Sequence, residues 1–161
     1  MIINPQVVVE KGWIRNYIEE CIQPNSIDVR LDRLFRIDVA EESFKGLVLG
    51  RDTRELPAYI EEFPDEKGFF YIKPFVPYQF LACEFVSLPE GVAARLHVRS
   101  TLNRAGVFIS AGWWDSGFKN YVGASFCSFA PAKIERGARI AQIVFIEAGC
   151  VKLYDGIYNV K

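Results

Sequence analysis

The side chains of this sequence that can do acid–base or anion chemistry from a defined position fall in three short stretches. In AGWWDSGFKN (111–120), Asp115 stands between two tryptophans and a glycine. A carboxylate of suitable pKa within reach can take a proton from water. Asp-Ser-Gly is also a turn sequence, so the residue types leave Asp115 open between a base and a turn residue. In HVRSTLNRAG (97–106), Ser100 or Thr101 can cap a single helical turn that Gly106 ends, with Arg99 and Arg104 beside it. Amides, a hydroxyl and two guanidinium groups can cradle a phosphate; the same residues also serve as a plain cap with surface ion pairs. In RIAQIVFI (139–146), Gln142 interrupts an apolar run. A buried amide without partners costs about 1–3 kcal/mol, so Gln142 either bonds neighbouring backbone or faces a polar ligand. His97, the one histidine, shares a face with Arg95 and Arg99 and reads as structural. Cys21, Cys83, Cys127 and Cys150 are dispersed with no C-x-x-C pair, which argues against a zinc site.

The elements that must position these residues are short strands. SIDVRLD (26–32) alternates Ile27, Val29 and Leu31 with Ser26, Asp28, Arg30 and Asp32, the period of a half-buried strand. Further strands are expected at 34–38, 69–72, 78–86, 92–99, 106–112, 121–129 and 139–147, separated by turn signals such as LPEG and ERGA. Val92, Ala94, Leu96 and Val98 are expected to face inward. Along 121–129, Val122, Ala124 and Phe126 form one face and Tyr121, Gly123, Ser125 and Cys127 the other. If the first set is core, the second lines a cavity in which Gly123 and Ser125 leave room. A short helix is expected within 6–20, and the charged segment 40–68 reads as a surface excursion. This spacing predicts an all-β barrel or sandwich with one or two short helices, in a single domain over 1–161.

Half of the residues are hydrophobic and 14% aromatic, the composition of a chain that buries a core without disulfides or metal. A net charge of −1 gives no general attraction to nucleic acid or to anionic lipid. The apolar run at 140–146 is too short to span a bilayer, and the N-terminus lacks the pattern of a signal peptide. The expectation is a cytoplasmic protein, with no nucleic-acid or membrane partner.

In order and spacing, IQPNSIDVRL (22–31), LPEGVAARLHVRSTLNRAGV (88–107), AGWWDSGFKN (111–120) and RGARIAQIVF (136–145) resemble the superfamily of dCTP deaminases and trimeric dUTP diphosphatases. The wording is closest to the short archaeal-type diphosphatases of the deaminase branch. The resemblance implies a distorted β-barrel or jelly roll of the dUTPase-like (β-clip) type, a homotrimer with active sites at subunit interfaces, and dUTP as small-molecule substrate with Mg²⁺. Residue by residue, it makes Asp115 the base for water attacking the α-phosphorus. Ser100, with Arg99, Thr101 and Arg104, becomes the phosphate site, and Gln142 a phosphate- or pocket-facing amide. Phe118 becomes the ring against the deoxyribose, Ala111 and Gly112 the hairpin backbone reading the pyrimidine, and Asp28 an acidic residue near Mg²⁺-triphosphate. Ser125 and Tyr158 join the substrate-binding set.

Family deaminases carry a glutamate ten positions after the motif aspartate, and here that position is Ser125. A serine hydroxyl is no general base near neutral pH, and no carboxylate lies between Asp115 and Glu135. The resemblance therefore implies hydrolysis of dUTP to dUMP and pyrophosphate, against the alternatives of a dCTP deaminase or a catalytically silent nucleotide-binding homologue. LYDGIYNVK (153–161) departs from the branch's terminal pattern at Ile157 and Asn159. No glycine-rich arm follows it, which leaves closure over the triphosphate to another segment.

Overall fold

The computed structural model describes residues 1–38 and 46–160. Helix α1 (Pro5–Glu10) begins where the Asn4 side chain accepts the Gln6 amide at 2.9 Å and Pro5 supplies a preset φ. It ends after one and a half turns at Gly12, which adopts φ +68°. The helix expected within 6–20 is thus confined to its first part. The remainder forms β1 (Ile14–Arg15) and a 3-10 turn at Glu19–Cys21.

Strands β2 (Ile27–Ile37), β7 (Tyr78–Ser87), β8 (Val92–Val98), β9 (Val107–Ser110), β10 (Lys119–Ser128) and β12 (Arg139–Glu147) run in the order β8-β12-β2-β7-β10-β9. The end strands β8 and β9 are linked by α2 (Ser100–Arg104) and touch each other, so the sheet curls into a nearly closed barrel. The protein is mainly β, as the strand spacing predicts. No helix among the described residues is long and apolar enough to cross a membrane.

The two strands expected at 26–32 and 34–38 are one strand. A register shift between Leu31 and Arg33 changes the alternation, so both Leu31 and Leu34 point into the core. The shift breaks the period of two that a sequence reading relies on. The excursion over 40–68 is not patternless: it holds β3 (Val48–Leu49), β4 (Arg54–Glu55) and β5 (Tyr59–Glu62), and β5 pairs with β2. Residues 39–45 of that segment lie outside the described residues. Strand β11 (Ala132–Glu135), unforeseen from the sequence, pairs with β6 (Phe69–Ile72).

The core fills the barrel with Val29, Leu31, Phe80, Val122, Phe126 and Ile143, all at most 4% exposed. Each such side chain contributes about 1.5–3 kcal/mol on burial. Val92, Ala94 and Leu96 face inward as expected, as do Val122, Ala124 and Phe126, whereas Val98, also expected inward, is only half-buried. One residue breaks the expected division of faces. Asp28, assigned to the solvent side of its strand, is fully buried, because Arg99, Arg139 and neighbouring segments cover it.

Candidate active site

Residues 111–118 form a wide loop between β9 and β10 that is fixed to β8: Trp114 exchanges backbone hydrogen bonds of 2.9 and 3.1 Å with Ala94. Beside it, the buried Ser116 hydroxyl donates to the Val92 carbonyl at 3.0 Å. The Asp115 carbonyl accepts the Phe118 amide at 3.0 Å, closing a turn around Gly117, which has φ +89°. Asp115 is therefore a turn residue by its backbone. Its side chain is exposed and makes no hydrogen bond or ion pair within the described residues, so the carboxylate is free to act on a ligand.

Phe118 is buried between Trp114, with ring centroids 6.0 Å apart, and Tyr154, at 5.7 Å. It forms one wall of a cavity of about 620 Å³, along with Ala111, Gly112, Ser125 and Tyr158. Five of the residues picked out from the sequence thus share one cavity. The cavity also takes Leu56 and Tyr59 from the excursion. Burial, and to a lesser degree the Tyr158 phenol, pushes the Tyr59 phenol above its ordinary pKa. Among the described residues, no lysine, arginine, histidine or carboxylate lines this space. It suits an uncharged ring and sugar.

The segment after β12 folds back over this cavity. Asn159 accepts the Lys119 amide at 2.8 Å and donates to the Gly117 and Tyr154 carbonyls at 3.2 and 3.1 Å. Asn120 donates to the Tyr158 carbonyl at 2.7 Å, and the Tyr154 amide donates to Ser116 at 2.7 Å. Asn159 and Tyr154 are site-forming residues that sequence reasoning missed. Asn159 had been visible only as a departure from the family pattern.

The cationic residues assemble elsewhere. Cross-strand pairing sets Gln142 between Asp28 and His97. Asp28 Oδ2 meets Arg99 Nε at 3.4 Å and Arg139 Nη1 at 3.3 Å, while its buried Oδ1 has no partner. A fully buried carboxylate thereby holds two partly exposed guanidinium groups in place, an arrangement that orients cations for an anion. Arg139 was missed because its motif was read for the glutamine. Ser100 does not cap α2: the cap residue is Arg99, with no side-chain cap bond, so both hydroxyls at the helix start, on Ser100 and Thr101, remain exposed with Arg104.

Within one chain the two groups stand apart. Trp114 is level with Ala94, whereas Arg99 lies five residues further along the strand direction, roughly 17 Å at about 3.3 Å per residue. Among the described residues no three histidine, cysteine or acidic side chains converge as a metal cage. Asp28, the carboxylate beside Gln142, is engaged with Arg99 and Arg139, so a divalent ion here would be carried on the oxygens of a phosphate ligand, a common habit of Mg²⁺.

Comparison with known proteins agrees with this architecture. A family model for dCTP deaminase-like proteins matches residues 3–148. A Methanocaldococcus jannaschii protein named deoxyuridine 5′-triphosphate nucleotidohydrolase is 34% identical over 151 residues, covering 92% of this chain and 94% of its own. A Sulfurihydrogenibium protein named dCTP deaminase, dUMP-forming, is 36% identical over 169 residues, covering 99% of this chain and 92% of its own. Among solved structures, the 2′-deoxycytidine 5′-triphosphate deaminase from Agrobacterium tumefaciens superposes with a TM-score of 0.68 at 17% identity. The match covers 91% of this chain but only 48% of that one.

Proposed function

We propose that this chain, which belongs to the dCTP deaminase-like family, is a dUTP diphosphatase that hydrolyses dUTP to dUMP and pyrophosphate. The observation that carries the reading is a division of chemistry: among the described residues the nucleoside-sized cavity is lined by no carboxylate or imidazole, while the free carboxylate of Asp115 stands next to its Phe118 wall. Attack at C4 of a cytosine bound in the cavity needs a base inside it. Hydrolysis of the phosphate chain needs one at its rim.

In this reading Phe118 packs on the deoxyribose, and the Ala111–Gly112 backbone runs along the pyrimidine. Asp115 accepts a proton from water as the water oxygen bonds to the α-phosphorus. The α–β bridging oxygen leaves with pyrophosphate. Arg99, Ser100, Thr101, Arg104 and Gln142 bind the phosphates, with Arg99 and Arg139 aimed by Asp28. Mg²⁺ on the triphosphate supplies charge neutralisation and in-line geometry, with Asp28 behind the arginines rather than bound to it.

The separation of Asp115 from Arg99 supports a homotrimer in which one copy supplies the cavity and another the phosphate groups. Relatives of similar identity carry both the hydrolase and the deaminase names. Ser125 in the cavity favours the hydrolase.

The test is Asp115→Asn assayed with dUTP and dCTP, scoring pyrophosphate and ammonia separately. Wild type should release pyrophosphate from dUTP and no ammonia from dCTP. The variant should bind dUTP and turn it over about 10²-fold or more slowly. Near-normal turnover by the variant, or ammonia from dCTP with wild type, rejects the assignment.

A further inference from the structure

We infer that Gln79, acting with Ser125, is the side chain that reads the pyrimidine edge in the cavity, a specificity role that rests on the nucleotide reading above. Gln79 belongs to β7 and was not among the residues that the sequence motifs single out. Cross-strand pairing aligns Ser110, Ser125 and Gln79 on three adjacent strands, with Phe35 beyond them, and all four line the cavity. In a space walled largely by apolar and aromatic groups, a few placed polar groups set the orientation of a ligand.

The chemistry of the pair specifies what it takes. Gln79 Nε2 donates to Ser125 Oγ at 2.6 Å. No other hydrogen bond of either side chain occurs within the described residues, so the Ser125 hydroxyl proton and Gln79 Oε1 remain available. One donor beside one acceptor matches the O4 and N3–H of a uracil ring, with Ser125 donating to O4 and N3–H donating to Gln79 Oε1. Cytosine presents the reverse, an amino donor at C4 and an acceptor at N3. To bind it, the amide must turn over and the hydroxyl must give its proton to Gln79. Gly123, one pleat along from Ser125, has no side chain because its neighbours fill that position. An added Cβ there would come within 3.0 Å of Leu81 Cδ2 and the Phe80 carbonyl.

Two ligand changes matched to two substitutions test this. Calorimetry compares the non-hydrolysable α,β-imido form of dUTP with its N3-methyl derivative and with its 4-thio derivative, which keeps N3–H but replaces the 4-oxo group by a much weaker acceptor. Wild type should prefer the parent over each by about 3- to 10-fold or more, the worth of one hydrogen bond. Gln79→Ala, which also makes room for the methyl, should abolish the preference against N3-methylation. Ser125→Ala should abolish the preference for the 4-oxo group. Each variant should still bind the parent, which reports an intact site. If both variants keep the wild-type preferences, the edge is read by other groups and the inference fails while the diphosphatase reading stands. If wild type does not bind the parent at all, both fall.

Discussion

Mixing two inactive variants separates a site shared between chains from one contained in a single chain. Asp115→Asn removes the proposed base. Ser100→Glu puts a carboxylate at the start of α2, where the serine is exposed and makes no cap bond, so the fold tolerates the change. At about 6 Å and an effective dielectric near 20, the new charge opposes each phosphate charge by about 3 kcal/mol. That is roughly a hundredfold loss from a single contact. Each homo-oligomer is then nearly inactive. In the proposed arrangement, each site needs Asp115 from one copy and Ser100 from another. Unfolding an equal mixture and refolding it together gives random assembly. About one site in four then combines an intact base with an intact phosphate cradle, and the mixture regains about a quarter of wild-type activity. The assay is pyrophosphate release from dUTP before and after co-refolding, with singly refolded variants as controls. If both groups served one site within one chain, no mixed site would be whole and activity would stay at the level of the parents, which would refute the shared-site argument.

Two other perturbations follow from local geometry. Gly117→Ala places a Cβ at φ +89° and within 3.0 Å of both Leu153 Cβ and the Tyr154 amide nitrogen, so it should strain the turn by about 1–3 kcal/mol. The expected result is faster hydrogen exchange at the Tyr154 and Val160 amides and a higher KM for dUTP; unchanged exchange would show that the terminal segment does not depend on this contact. Burial holds the Glu84 carboxyl above its ordinary pKa, against the opposing bonds from the Arg30 amide at 2.8 Å and the Arg30 guanidinium at 2.7 Å. Between the ordinary and the raised value the folded state binds more protons than the unfolded state, so this contribution is full below the ordinary carboxyl range and is lost as pH rises through the raised value. Urea midpoints between pH 4 and 8 should show that decline in wild type and not in Glu84→Gln; equal slopes would assign it to other groups.

What the sequence made legible depended on period. The alternation of 121–129 identified both faces of β10, because every residue from Val122 to Phe126 obeys it, and the cavity-side residues Gly123 and Ser125 followed directly. Alternation failed where a bulge or a burial from outside intervened. The shift at Leu31–Arg33 broke one strand into two, and Asp28 read as solvent-facing because alternation cannot register the arginines that cover it from β12 and the end of β8. Gln79 was hidden for a related reason. Its significance comes from its cross-strand neighbour Ser125, which lies 46 residues away, and neither residue is unusual within its own strand.

The terminal segment reverses the meaning of a sequence departure. Asn159 differs from the family's glutamine and in the sequence stands only as a departure from the pattern. In the fold its short amide reaches three backbone groups at once, on Lys119, Gly117 and Tyr154, which span the turn next to Asp115 and the segment that covers it. A side chain longer by one methylene would have to bend to keep all three bonds. The chain's own groups thereby hold the terminal segment on the cavity wall: Tyr154 packs against Phe118 and Tyr158 lines the cavity. Prior ordering of the cavity wall lowers the entropy cost of binding the nucleoside end. If, as proposed, groups from another copy complete the phosphate end, an isolated chain should hold a nucleoside nearly as well as an assembled one but should gain little from the triphosphate.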